Sequence, residues 1–128
     1  MKKIISSIAV IIGLSTTIQA QYNPTANPFE QVSNIVKKTN VSQKHILVSI
    51  GGDWCIWCKR FNKLMEENDS LAQFTAQHYE KVFISYTKEN KNLDFLNQYG
   101  NPHRMGFPVF LILDEHGKLL HIQNSAYL

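Results

Sequence analysis

The chain has 128 residues, about the size of one domain. Its composition, 44% hydrophobic and 18% charged, is that of a globular protein and excludes a fibrous or predominantly disordered chain. The net charge of +3 includes Lys2 and Lys3 at the N-terminus, and the other basic residues are scattered. The sequence therefore has no basic stripe of the kind that binds nucleic acid.

The N-terminal residues have the pattern of a secretory signal peptide. A basic start at Lys2 and Lys3 precedes an apolar stretch at 4–14, and Ala20 is a small residue at the position of a cleavage site. The apolar stretch is shorter than the roughly 20 residues that a membrane-spanning helix needs. We predict a cleaved signal peptide at 1–20 and an exported domain, periplasmic or secreted, at 21–128. An uncleaved N-terminal anchor is the alternative.

After a polar lead-in at 21–27, predicted helices and strands alternate along the chain. Asn27 and Pro28 fit a helix N-cap and first helical position, and apolar residues then recur at helical spacing to about residue 39. A short apolar run at 45–50, bounded by two glycines, predicts a buried strand. The later predicted elements are a helix over 53–67, a helix over 70–79, a strand over 81–86, a helix over 93–99, and a hairpin of strands at 109–113 and 118–122.

This order of elements predicts an α/β fold in one domain. Strands separated by helices pair in parallel through right-handed crossovers, and the closing hairpin adds antiparallel partners. The expected architecture is a central mixed sheet flanked by helices.

Cys55 and Cys58 lie where the strand at 45–50 gives way to the following helix. The first turn of a helix has free backbone N–H groups and the positive end of the helix dipole, so it stabilises a thiolate. We predict that Cys55 is the attacking nucleophile. Cys58 lies one turn deeper on the same face and resolves the mixed disulfide. Asp53 is predicted to be an exposed helix N-cap.

Other roles for the two cysteines fit the sequence less well. One pair supplies two of the four ligands that a structural zinc site needs, and the five His show no metal-ligand spacing. Haem attachment requires His after the second Cys, where this chain has Lys59. A purely structural disulfide would close a loop too short to stabilise the fold much. No metal and no bound cofactor are predicted, because the dithiol itself carries two electrons.

Two segments resemble the thioredoxin superfamily: Trp54-Cys55-Ile56-Trp57-Cys58-Lys59 after a strand, and Gly106-Phe107-Pro108 before the strand at 109–113. The resemblance covers about residues 28–123 and is closest to bacterial exported thioredoxin-like proteins with a Trp-Cys-x-x-Cys motif. It implies a thioredoxin-like fold in which a cis-proline loop faces the dithiol and binds the substrate backbone. The predicted substrate-binding residues are Trp54, Trp57, Phe107 and Pro108.

The chain departs from the thioredoxin pattern at three places. Ser49 stands where thioredoxin has a buried Asp, and Ser is not a general base at ordinary pH, so the Cys58 proton must leave through water or another group. Ile56 and Trp57 replace Gly-Pro between the cysteines, and the absence of His there favours a reductant. The C-terminal helix of the superfamily is missing after the hairpin, so either the chain is a fragment or one sheet face lacks its cover.

Together these features predict a thiol–disulfide oxidoreductase that acts on cysteines of exported proteins, more as a reductant than as an oxidant. A reductant outside the cytosol needs a supply of electrons, for which a membrane donor is expected. The alternative is a non-catalytic thioredoxin-fold binding module or redox switch.

Overall fold

A computed structural model of the protein describes residues 20–127, so the predicted signal peptide lies outside the described residues except for Ala20. The helices and strands are, in chain order, α1 (Pro28–Ser42), β1 (His45–Gly51), α2 (Ile56–Glu67), α3 (Asp69–His78), β2 (Tyr79–Ser85), α4 (Leu93–Gln98), β3 (Val109–Leu113) and β4 (Leu119–Asn124). Short 3-10 helices at Pro102–Met105 and Ser125–Tyr127 precede β3 and follow β4.

The four strands form one sheet in the order β2-β1-β3-β4. β1 pairs with β2 in parallel, and β3 pairs with both β1 and β4 in antiparallel fashion. The prediction of a central mixed sheet flanked by helices is confirmed. β1 is a central strand because it has a partner on each side.

Residues of β1 alternate between the two faces of this sheet. Ile46, Val48 and Ile50 are fully buried and belong to the main hydrophobic core. The other buried members of this core come from α1, α4, β2 and β3: Val32, Phe95, Leu96, Val82, Ile84, Val109, Leu111 and Leu113. One face of the sheet is therefore covered by α1 and α4.

The opposite face of the sheet is covered by α2. Phe61 on α2 packs against Phe110 on β3 with ring centroids 4.5 Å apart. Cys58 on α2 is buried above Gly51, the last residue of β1. This packing places the N-terminus of α2 at the carboxyl end of β1, where the two cysteines lie.

The predicted start of the α2 helix was wrong by three residues. The Cys55 backbone N–H donates to the Gly52 carbonyl at 3.0 Å and closes a turn before the helix. Cys55 is consequently the N-cap, in an extended conformation, and α2 begins at Ile56. Asp53 is exposed in that turn and is not the N-cap, which corrects the prediction made for it.

Within residues 20–127, β4 is followed only by the 3-10 helix Ser125–Tyr127. Over the same residues, no helix is long and apolar enough to cross a membrane.

The end of α1 is tied to the hairpin by one buried hydroxyl. Thr39 is fully buried, and its Oγ1 donates to the carbonyl oxygen of Glu115 at 2.8 Å, in the turn between β3 and β4. The same hydroxyl lies 3.1 Å from the carbonyl oxygen of Ile35, one helical turn earlier.

We predict that Thr39→Val lowers the free energy of unfolding by about 1–3 kcal/mol, because Val keeps the shape and leaves the Glu115 carbonyl without this donor. Urea denaturation of the purified protein measures the loss. Thr75→Val is the matched control, since Thr75 is also buried but lies on α3, outside the contact between α1 and the turn that precedes β4. An equal loss in the two variants would contradict the role given to Thr39.

Candidate functional site

Cys55 and Cys58 form a disulfide at the N-terminus of α2, with their Cα atoms 5.2 Å apart. As the N-cap, Cys55 accepts a hydrogen bond at its Sγ from the Cys58 backbone N–H, at 3.1 Å. Cys55 keeps 5% of its surface exposed and Cys58 none. The first cysteine is thus the more accessible of the two.

The position of Cys55 favours a negative charge on its sulfur. The first turn of α2 has backbone N–H groups without partners inside the helix, and the helix dipole adds a partial positive charge there. When the disulfide is reduced, both effects stabilise the thiolate form of a cysteine at this place. The geometry therefore suits Cys55 as the attacking group and Cys58 as the group behind it.

The loop before β3 faces the two cysteines. The peptide bond between Phe107 and Pro108 is cis, as the resemblance implied, and Pro108 is buried. Phe107 is half-buried and packs against the buried cluster that contains Cys55 and Cys58. Gly106, just before, has φ 94°, a conformation that L side chains rarely adopt.

The two tryptophans of the motif are both exposed, and they are held differently. Trp54 Nε1 donates to the carbonyl oxygen of Tyr86 at 2.7 Å, and its ring meets that of Phe107 edge to face at 5.4 Å. The guanidinium of Arg60 lies 4.9 Å from the ring centroid of Trp57. Trp54 is fixed beside the cis-proline loop, and Trp57 carries a neighbouring positive charge.

A shallow groove of about 530 Å³ runs along α2 beside the cis-proline loop. Its lining residues are Trp57, Arg60, Phe61, Leu64, Met105, Gly106, Phe107, Pro108, Asn124, Ser125 and Ala126. The structure thus brings three of the four predicted substrate-binding residues into one groove. The fourth, Trp54, joins it through its contact with Phe107.

Tyr22, from the lead-in before α1, is a site residue that the sequence analysis missed. It is 2% exposed, shares a buried cluster with Cys55 and Cys58, and forms a 2.9 Å hydrogen bond with the hydroxyl of Ser49. Burial raises the pKa of the Tyr22 phenol, hydrogen bonds with Ser49 and Asn62 lower it in part, and the charge of Asp53 raises it. No spacing or motif signals this residue, because it lies in a polar segment far from the motif.

Residues 20–127 contain no cluster of three or more His, Cys, Asp or Glu side chains placed to hold a metal ion. The chemistry that these residues offer is that of the two sulfurs, one at the surface and one behind it.

Residues 30–115, more than half of the chain, match a family model described as thioredoxin-like. The chain is 27% identical over 78 residues to the disulfide bond reductase DsbH of Chlamydia pneumoniae, covering 55% of this chain and 45% of that protein. It is 29% identical over 96 residues to the thiol:disulfide interchange protein DsbD of Actinobacillus pleuropneumoniae serotype 5b (strain L20), covering 72% of this chain and 16% of that protein. The chain spans less than half the length of either relative.

Solved structures share the fold. A disulphide isomerase from Xylella fastidiosa Temecula1 has a TM-score of 0.76 at 24% identity, over 86% of this chain and 83% of that one. A DsbH oxidoreductase has a TM-score of 0.54 at 22% identity, over 80% of this chain and 84% of that one. Identities this low establish the fold alone, and the predicted thioredoxin-like fold is confirmed.

We predict that Gly51→Ala disturbs this site and lowers the free energy of unfolding by about 1–3 kcal/mol through overpacking. A Cβ on Gly51 would lie 2.5 Å from Cys58 Sγ and 3.2 Å from Tyr22 Oη, so both atoms must move. Chemical denaturation of the oxidised protein measures the change. The control is Ser85→Ala on the paired residue of β2, which removes volume at the same register and should have a smaller effect. Wild-type stability in Gly51→Ala would show that the site is looser than described.

Proposed function

This chain belongs to the thioredoxin-like family, and from that premise we propose that it is a thiol–disulfide oxidoreductase that reduces disulfides of exported proteins. The observation that carries the proposal is the placement of the two sulfurs. Cys55 caps α2 at the surface, Cys58 is buried one turn behind it, and the cis-proline loop at Phe107 and Pro108 faces both.

In the proposed cycle, the Cys55 thiolate attacks one sulfur of a client disulfide. A mixed disulfide forms, and the other client sulfur leaves as a thiolate that takes a proton from water. Cys58, as a thiolate, then attacks Cys55 Sγ, forms the Cys55–Cys58 bond and releases the second client sulfur. Two electrons have passed to the client, and an external dithiol must reduce the pair again.

The surface around Cys55 supports binding of a polypeptide client. The large apolar side chains of Trp54, Ile56, Trp57 and Met105 are exposed in the motif and beside the cis-proline loop. Exposed apolar patches of this kind mark interaction sites. We propose that Trp54, Trp57, Phe107 and Pro108 contact the client, with the extended client backbone lying along the loop at Phe107 and Pro108.

Two observations support reduction rather than oxidation of the client. No His lies between the cysteines, and one relative is named a disulfide bond reductase. The other is named a thiol:disulfide interchange protein, and exchange of this kind passes electrons from one dithiol to another. We propose that a membrane dithiol protein re-reduces Cys55 and Cys58, that residues 1–20 are a cleaved signal peptide, and that the domain at 21–128 acts in the periplasm or after secretion.

Replacing each cysteine separately should distinguish the attacking role of Cys55 from the resolving role of Cys58. Cys55→Ser should abolish reduction of a disulfide-bonded protein substrate, measured by turnover with a dithiol donor, because the attacking sulfur is gone. Cys58→Ser should accumulate mixed disulfides at Cys55, seen on non-reducing gels, because the resolving sulfur is gone. An active Cys55→Ser protein would sink the proposal. A stoichiometric complex without turnover in the wild type would favour a binding module or redox switch.

The direction of thiol–disulfide exchange depends on the reduction potential of the Cys55–Cys58 pair. Equilibration of the Cys55–Cys58 pair against glutathione should give a reduction potential near that of thioredoxin, about −270 mV. A value near about −120 mV, that of the strong oxidant DsbA, would reverse the assignment and make the protein a donor of disulfides.

A further inference from the structure

The resolving step requires a thiolate at Cys58, where the charged form is less favourable than at Cys55. Cys58 has no exposed surface, and burial disfavours the charged form of any ionisable group. A buried charge is stable only where a hydrogen-bond donor or an opposite charge meets it. Thioredoxin, which this chain resembles, has a buried acid near the second cysteine, and this chain has Ser49 at that position. Some other group must therefore stabilise the Cys58 sulfur when it becomes charged.

The Tyr22 phenol lies at that place. A Cβ built on Gly51 would lie 2.5 Å from Cys58 Sγ and 3.2 Å from Tyr22 Oη, so both atoms border the space that a side chain at position 51 would occupy. Tyr22 and Cys58 belong to the same buried cluster. Because Gly51 has no side chain, it places no side-chain atom between the Tyr22 hydroxyl and the Cys58 sulfur.

Both the ring and the backbone of Tyr22 are fixed. Ser49 on β1 holds the hydroxyl at 2.9 Å, and Phe83 on β2 meets the ring edge to face at 5.3 Å. Next to it, the Gln21 side chain accepts a hydrogen bond from Asn62 and donates one to Glu66, both on α2. The lead-in is thus docked on the sheet and on α2, and Tyr22 is a built part of the site.

We propose that the Tyr22 hydroxyl, held by Ser49, donates a hydrogen bond to the Cys58 thiolate and so takes the place of the buried acid in the resolving step. In that step the Cys58 proton leaves to water, Cys58 Sγ attacks Cys55 Sγ, and the Cys55–client bond breaks with its electron pair on the client sulfur. Tyr22 gives up no proton in this step. This inference rests on the exchange reaction proposed above.

The surroundings of the phenol make it a donor rather than a base. It faces the neutral side chains of Ser49 on β1, Asn62 on α2 and Phe83 on β2, together with the carboxylate of Asp53 in the turn before α2. Burial raises the pKa of the phenol, so at neutral pH it keeps its proton. A protonated phenol can donate to a thiolate, but it cannot accept the Cys58 proton.

The test separates attack from resolution. The reduced protein is mixed with an equimolar chromogenic aromatic disulfide: attack by Cys55 releases one coloured thiolate, and resolution by Cys58 releases the second. In Tyr22→Phe the first phase should keep its rate, and the second should slow about tenfold, as expected for losing one hydrogen bond to a charged group. The pH midpoint of the second phase should rise by about one unit, because the thiolate has lost its donor.

Two further variants make the test specific. Tyr99→Phe removes the hydroxyl of a half-buried tyrosine whose ring packs on Phe95, away from the cysteines, and should leave both phases unchanged. Ser49→Ala removes only the group that positions Tyr22 and should slow the second phase less than Tyr22→Phe does. A wild-type second phase in Tyr22→Phe, or equal slowing of both phases, would overturn the role of Tyr22. A wild-type protein without either phase would overturn the exchange reaction as well.

Discussion

The site depends on a single capping interaction, in which Cys55 Sγ accepts the Cys58 backbone N–H at the start of α2. Caps satisfy backbone donors that a helix leaves free, and Ser, Thr, Asp and Asn are the usual residues for this purpose. A cysteine in that role couples secondary structure to reactivity. The free N–H groups at the start of α2 are also the groups that favour a negative charge on the Cys55 sulfur, so a different helix start would change the reactivity of this cysteine.

The sheet explains why Cys55 keeps a small part of its surface exposed and Cys58 keeps none. β1 is buried on both faces, with Ile46, Val48 and Ile50 toward α1 and α4, and Ser49 and Gly51 toward α2. α2 packs on the second face of the sheet. Its first turn therefore runs from Cys55, which is slightly exposed, to Cys58, which is fully buried. Gly51 permits this packing, since the Cβ of any larger residue at position 51 would clash with Cys58 Sγ.

The sequence predicted the parts of this arrangement that local pattern controls. The alternation of apolar runs and turn residues predicted the sheet and its helices. The position of Cys55 and Cys58 between a strand and a helix, together with the resemblance that singled out Pro108, predicted the candidate site. The start of α2 was not predictable from spacing, because residues 53–55 fit a helical pattern and only the bond from Cys55 to Gly52 shows that they form a turn. Tyr22 was not predictable, because its partners on β1 and α2 meet it only in the folded chain.

The difference between an acid and a phenol beneath the inner cysteine is chemical as well as geometric. A carboxylate changes its protonation state near neutral pH when it is buried, so it can accept a proton and act as a base. A buried phenol with a raised pKa stays neutral over that range, so it contributes a hydrogen bond and nothing else. With Tyr22 and Ser49 in this place, the Cys58 proton must pass to water from a group with no exposed surface. We therefore infer that resolution, rather than the attack by Cys55, is the slower and more pH-dependent half of the proposed exchange. In the proposed exchange, a slow resolving step lengthens the lifetime of the mixed disulfide. The docking of the lead-in on α2 then affects the rate of client release, because it holds Tyr22 in place.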